Sequence, residues 1–200
     1  MLKIEQLTGF NSVGRNKRKK QIVLTHTSRN VTDYISSLKY RYNGKYDKIP
    51  HFIIQNDGRV FQMIDPSLYS NILDSEQQNK HSIVICLENL GWLKKNPLNP
   101  SYVNWIGDIY KEGIYERKWR GHFFWEPYTN EQMESLVELS LYLCEMFSIP
   151  ASCIGHNVKL DGIEKFEGIV TRSNFTTDNT DLSPAFDFDY FKKILENEPV

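Results

Sequence analysis

The sequence is short of the features that mark several protein classes. It has only three cysteines in 200 residues, Cys86, Cys144 and Cys153, an odd number with no CxxC pair. That argues against a disulfide framework and fits folding in a reducing compartment. An excess of either charge is missing too: 24 Lys and Arg against 25 Asp and Glu leave a formal charge of −1. No overall field therefore draws the chain to nucleic acid or to an anionic membrane. The one basic run, RNKRKK at 15–20, reads as a solvated lead-in to a strand. No stretch approaches the roughly 18 apolar residues that span a bilayer. The opening MLKIEQLTGFNSVG lacks the sustained apolar core of a Sec-type signal. The expectation is a chain made without an export signal, with no nucleic-acid partner and no membrane insertion, working as a monomer. No internal repeat is visible.

What is present is globular material. Hydrophobic residues make up 40% and aromatics 13%, enough for a real core in one domain spanning 1–200. QIVLTH at 21–26 reads as a buried strand. Asn30 or Thr32 caps a helix to about Tyr42, with Val31, Tyr34, Ile35 and Leu38 on one face. HFIIQNDGRVFQMID at 51–65 places Asp57-Gly58 between two apolar runs, a tight-hairpin pattern. SIVICLEN at 82–89 is a second buried strand. Residues 90–128 are aromatic, punctuated by Pro and Gly and weakly periodic, and read as an insertion packed on the core. Thr129 and Gln132 form a capping-box pattern ahead of Met133, Leu136, Val137, Leu141, Cys144 and Phe147 at helical spacing, ending before Pro150. ASCIGH at 151–156 suggests a short strand, and SPAFDFDYFKKIL at 183–195 a last helix. The succession β-α-β-β-β-α-β-α implies an α/β fold, a mixed central β-sheet flanked by helices.

Two of the five histidines, His26 and His156, fall at the ends of strand-like runs, where a site can be open to solvent yet rigidly held. Asp181 closes a long polar loop. Two imidazoles and a carboxylate leave one open position on a tetrahedral zinc ion, the arrangement of a catalytic site. Their separations along the chain, unlike a compact HExxH, do not by themselves specify a site.

The order of the motifs adds to this. IVLTHTS, HFIIQNDGRVFQMID, HSIVICLEN, IGH and TDLSPAFDF together resemble the zinc-dependent N-acetylmuramoyl-L-alanine amidase family, which includes phage lysozyme-type amidases and peptidoglycan recognition proteins. The resemblance runs from Gln21 to about Phe188 apart from much of 90–128. It implies zinc as cofactor, held by His26, His156 and Asp181, peptidoglycan or muropeptide as partner, and an endolysin-like hydrolase acting on the cell wall after release or delivery. Three positions depart from the family pattern. Pro50 stands where some members carry a tyrosine, Asn179 where some carry a lysine, and Cys86 where many carry a glutamate.

Glu88 is the replacement base that strand geometry offers, because residues two apart share a face; the competing reading is a solvent-facing charge at the strand end. His51 is either a donor to the reaction oxyanion or a packed core histidine. Arg172 and Asn174 border the expected metal and are candidates for binding the peptide stem, with loop bracing as the other reading. The four tryptophans of 90–128 either stack on sugar rings or form a private core. A recognition module that binds muropeptide without cutting it is the alternative to the enzyme.

Overall fold

The two most apolar runs of the sequence lie side by side in the middle of a sheet. In the computed structural model, which describes residues 2–197, the chain begins with β1 (Ile4–Gln6), β2 (Gly14–Arg15) and β3 (Gln21–His26), then helix α1 (Val31–Tyr40). The hairpin β4 (Phe52–Ile54) and β5 (Val60–Gln62) follows, then β6 (Leu68–Tyr69), α2 (Glu76–His81) and β7 (Ser82–Leu87). Five strands come next: β8 (Trp92–Lys95), β9 (Tyr102–Val103), β10 (Ile109–Tyr110), β11 (Tyr115–Trp119) and β12 (His122–Trp125). Helix α3 (Asn130–Phe147), β13 (Gly168–Thr171) and α4 (Phe188–Asn197) complete the described chain.

The central sheet has the order β1-β5-β4-β7-β3-β13, and only the β4–β5 hairpin pair is antiparallel. Every residue of β3 and β7 is buried, as expected of parallel strands covered on both faces. Alternation sorts their side chains. Ile22, Leu24, Ile83 and Ile85 pack with Leu136 and Leu143 of α3 and Phe191 of α4, whereas Cys86 faces Val31 and Leu38 of α1.

Local chemistry explains most boundaries. The Asn30 side chain accepts from the Asp33 amide at 2.9 Å and starts α1. The helix stops at Tyr40 rather than 42 because Tyr42 and Asn43 adopt φ of 51° and 54°. In α3 the capping box forms as expected, with Thr129 and Gln132 each bonding the other's backbone. Gly58, at φ 82°, turns the β4–β5 hairpin against α3; a Cβ there would sit 2.9 Å from the Glu131 carbonyl oxygen.

Three expectations are corrected. Residues 151–156 form no strand: only a bridge joins Cys153 to Ile169. The strand at that edge of the sheet is β13, whose GIVT pairs in parallel with β3. Gly168 at φ 143° brings the backbone close against Ser152 there. The last helix starts at Phe188, capped by Asp187 accepting from the Tyr190 amide at 2.9 Å, since Ser183 and Pro184 lie in turns before it. Lys19 in the basic run is buried, its Nζ donating to the Leu68 and Ser82 carbonyls at 2.7 and 3.1 Å. Residues 92–125 form a five-stranded sheet of their own, β10-β9-β8-β12-β11. Among the described residues, no helix is long and apolar enough to cross a membrane.

Candidate functional site

β3 and β13 run in parallel, so His26 and Arg172 emerge at the same, carboxyl-terminal edge of the sheet, where open α/β sheets place their ligands. His26 is 8% exposed. Its Nδ1 is hydrogen-bonded to the Tyr128 hydroxyl at 3.2 Å, and that hydroxyl also accepts from the Ser183 amide at 3.4 Å. Gly91, at φ 75°, lets the chain after β7 cross the imidazole; a Cβ there would meet the ring's Cε1 and Nε2 at 3.1 Å. Burial pushes the His26 pKa below its ordinary value, Asp181 pulls it up and Arg172 pushes it further down. The ring is therefore neutral near pH 7, the form that can donate a lone pair to a metal.

Asp181 is 5% exposed and lies 3.9 Å from Nη1 of Arg172. Its carbonyl accepts from the Ser173 amide at 2.9 Å. The Arg172 side chain is 27% exposed, and its Nε is buried without a hydrogen-bond partner. His156 sits on a loop, half-buried, and its Nδ1 accepts from the Val158 amide at 3.2 Å. That nitrogen is occupied locally, which leaves Nε2 as its donor atom. The segments of His156 and Asp181 are tied together: Asn157, next to His156, donates to the Leu182 carbonyl, next to Asp181, at 2.9 Å. His156 also lines a cleft of about 520 Å³ with Tyr115, Arg117, Asp187 and Asp189.

Hydrogen bonds thus join the segments that carry His26, His156 and Asp181, and His26 and Asp181 interact electrostatically. The donor set is right for zinc in its chemistry. Among the described residues, however, no three His, Cys, Asp or Glu side chains come together as a group able to hold a metal.

Other expected site residues are engaged elsewhere. Glu88 is buried and points toward α1, on the same face as Cys86. Its Oε1 accepts from the Val31 amide at 2.6 Å and its Oε2 from the Asn56 amide at 3.0 Å. It is neither a solvent-facing charge nor a base with open oxygens; it joins the start of α1 to the hairpin. His51 is 1% exposed. It accepts from the Val84 amide at 2.9 Å and bonds the Leu68 carbonyl at 3.0 Å, and desolvation takes its pKa down to about 3. Both ring nitrogens are spent inside the core. Asn174 is fully buried and braces its own loop, accepting from the Thr171 amide and donating to the His156 and Val158 carbonyls at 2.7, 2.9 and 2.8 Å. It is not placed to touch a substrate. Burial pushes the Cys86 thiol up to about 12, so it is protonated and inert.

Two residues of the site carried no motif. Tyr128 lies just before the α3 cap, held by Asn89 donating to the Glu126 and Pro127 carbonyls at 3.1 and 3.3 Å. Arg120, at the tip of the β11–β12 hairpin, reaches the loop that leads to Asp181. Of the tryptophans, Trp125 is fully buried, while Trp105 is 50% exposed. The Trp105 indole N–H donates to the Ser28 carbonyl at 2.9 Å, two residues from His26, and the Arg29 guanidinium lies 5.2 Å from its ring centre.

A family model described as N-acetylmuramoyl-L-alanine amidase (Amidase_2) matches residues 15–172. The chain belongs to this amidase family. Family membership gives its enzyme class, a peptidoglycan amidase. The match takes in His26 and His156 and ends before Asp181. No curated protein matches the chain. Among solved structures, the N-acetylmuramoyl-L-alanine amidase LysC from Clostridium intestinale URNW matches with a TM-score of 0.61 at 16% identity, covering 99% of this chain and 100% of LysC. The Staphylococcus aureus hydrolase AmiA matches at 0.59 and 14%, over 96% of this chain and 81% of AmiA. The amidase AmiD from E. coli, solved with anhydro-N-acetylmuramic acid-L-Ala-D-gamma-Glu-L-Lys, matches at 0.58 and 16%, over 92% of this chain and 60% of AmiD. At these identities the likeness is one of fold.

Proposed function

We propose that this amidase is zinc-dependent and cleaves the amide between N-acetylmuramic acid and L-alanine of peptidoglycan, with His26, His156 and Asp181 as the residues that would hold the ion. The observation that carries the reading is the Tyr128 hydroxyl, which bonds both His26 and the backbone of the Asp181–Ser183 segment. A bound zinc would lower the pKa of a water toward about 7 and polarise the scissile carbonyl. The chain's own residues do the rest. Burial keeps His26 neutral and ready to ligate. Tyr128 fixes the rotation of its ring, as the partners of ligating histidines generally do. Arg172, whose side chain is 27% exposed beside Asp181, would bind a carboxylate or carbonyl of the peptide stem. Trp105 offers one ring face to a sugar at the rim near His26. The general base is left unassigned, because Glu88 is held by two backbone amides.

The working role is endolysin-like: one catalytic unit, with the 90–128 segment as part of it, acting as a monomer on the cell wall after release or delivery. A second reading, a module that binds muropeptide without cutting it, draws on the engagement of Glu88 and the protonated Cys86. One experiment separates them. Purified muropeptide is incubated with the protein, with and without a chelator, and with His26→Ala. Free stem peptide from the wild type alone, stopped by the chelator and restored by zinc, is the expected result. Equal muropeptide binding by wild type and variant with no turnover in either establishes the recognition module instead. Release that ignores the chelator overturns the role of zinc.

A further inference from the structure

We infer that the β11–β12 hairpin is a clamp on the Asp181-bearing loop, with Arg120 as its positioning residue. The inference rests on the reading of Asp181 as a ligand and assigns a task to the second sheet. The hairpin loop has two residues, Arg120 and Gly121, because Trp119 pairs with His122 across it. Both loop residues have positive φ, 45° and 82°. The left-handed conformation costs a residue with a Cβ about 1 kcal/mol, and glycine or asparagine is the usual occupant of such a turn. The turn therefore gives no reason for an arginine; its side chain does.

The Arg120 guanidinium spans both ends of the loop between β13 and Asp181. Nη1 donates to the Ser173 hydroxyl at 3.2 Å and to the Asn179 carbonyl, and Nη2 donates to the Ser173 carbonyl at 3.3 Å. From the hairpin side its position is fixed by the Trp119 ring, whose centre lies 4.4 Å away. Trp119 in turn packs on the fully buried Trp125 at 5.6 Å. On the loop side the connection reaches Asp181 directly. The Ser173 hydroxyl donates to the Asn179 carbonyl at 3.2 Å, and the Ser173 amide donates to the Asp181 carbonyl at 2.9 Å. Arg120 also feels the Asp181 and Asp178 carboxylates. Within the intervening FTTDNT at 175–180, Phe175 packs against the core cluster of Val23, Val84 and Val170, while TTDNT at 176–180 is polar and without regular structure, so few internal bonds hold that part. A planar fork that bonds two carbonyls and a hydroxyl at once restricts such a loop as a single ammonium cannot.

The test uses the full chain with Arg120→Gly, which removes the guanidinium while suiting the left-handed turn, so the hairpin and the melting temperature are retained. Amide exchange at Ser173 and across 175–181 is expected to rise about tenfold or more. Zinc affinity, read by chelator competition, is expected to fall about 10- to 100-fold. Millimolar guanidinium should restore part of that affinity. Arg120→Lys should behave like the glycine variant, because it cannot span the loop. Exchange that stays at the wild-type rate overturns the clamp even if the wild type binds zinc and turns over substrate. Faster exchange with unchanged zinc affinity overturns the positioning role and leaves a loop brace. Faster exchange in a wild type and variant that both fail to bind zinc upholds the clamp and sinks the zinc reading.

Discussion

Glu126 offers the sharpest check on how this site's surroundings are built. Its carboxylate is 7% exposed and accepts from the Leu90 amide, just before the glycine that crosses the His26 ring. Desolvation, the largest influence, raises its pKa from 4.5 to about 7, with Glu88 and Glu112 adding to the rise. The folded protein therefore holds this proton more tightly than the unfolded chain does. Stability from it is full below pH 4.5, is lost as pH rises from 4.5 to about 7, and levels off above. At about 1.4 kcal/mol per pH unit the loss is about 3 kcal/mol. Glu126→Gln keeps an acceptor for the Leu90 amide and removes the titration. Urea unfolding of both proteins at about pH 4.5 and about pH 8 reads the difference, since titrating groups not coupled to Glu126 cancel. The variant should gain about 3 kcal/mol on the wild type between the two conditions. A gap that stays constant within about 0.5 kcal/mol would refute the desolvation argument.

Other outcomes follow from the same geometry. His51 stays neutral in the fold to about pH 3, whereas the unfolded chain takes up its proton near 6.5. Stability from it is full above 6.5 and falls with pH below it, so relative to His51→Asn the wild type should lose about 2 kcal/mol between pH 6.5 and 5, measured by urea unfolding. A pH-independent gap would show that the ring titrates normally. Tyr128→Phe removes the hydroxyl shared by His26 and Ser183. It should lower zinc affinity about tenfold while the variant stays folded by circular dichroism, and unaltered affinity would remove Tyr128 from the site. Trp105→Ala should raise KM several-fold for glycan-bearing substrate but not for a muramoyl peptide without further sugars. An equal effect on both would rule out the sugar platform.

The sequence by itself determined the frame. The buried runs of β3 and β7, the Asp-Gly hairpin, the Asn30 cap and the Thr129–Gln132 capping box are local signals, and local signals are legible because neighbouring residues produce them. The order of the main elements followed, and so did the place of His26 at the end of β3. Only the tertiary structure decided which side chains still had free polar atoms once the core had formed. Glu88 faces the way the strand's alternation required, yet the amides that occupy it belong to α1 and to the hairpin loop. His51 is consumed by Leu68 and Val84, Tyr128 reaches His26 across 102 residues, and Arg120 reaches Ser173 across 53. Such bonds have no period or spacing along the chain. They depend on distances fixed only when the sheet is assembled, because a buried polar group takes whatever partner the packing brings within reach.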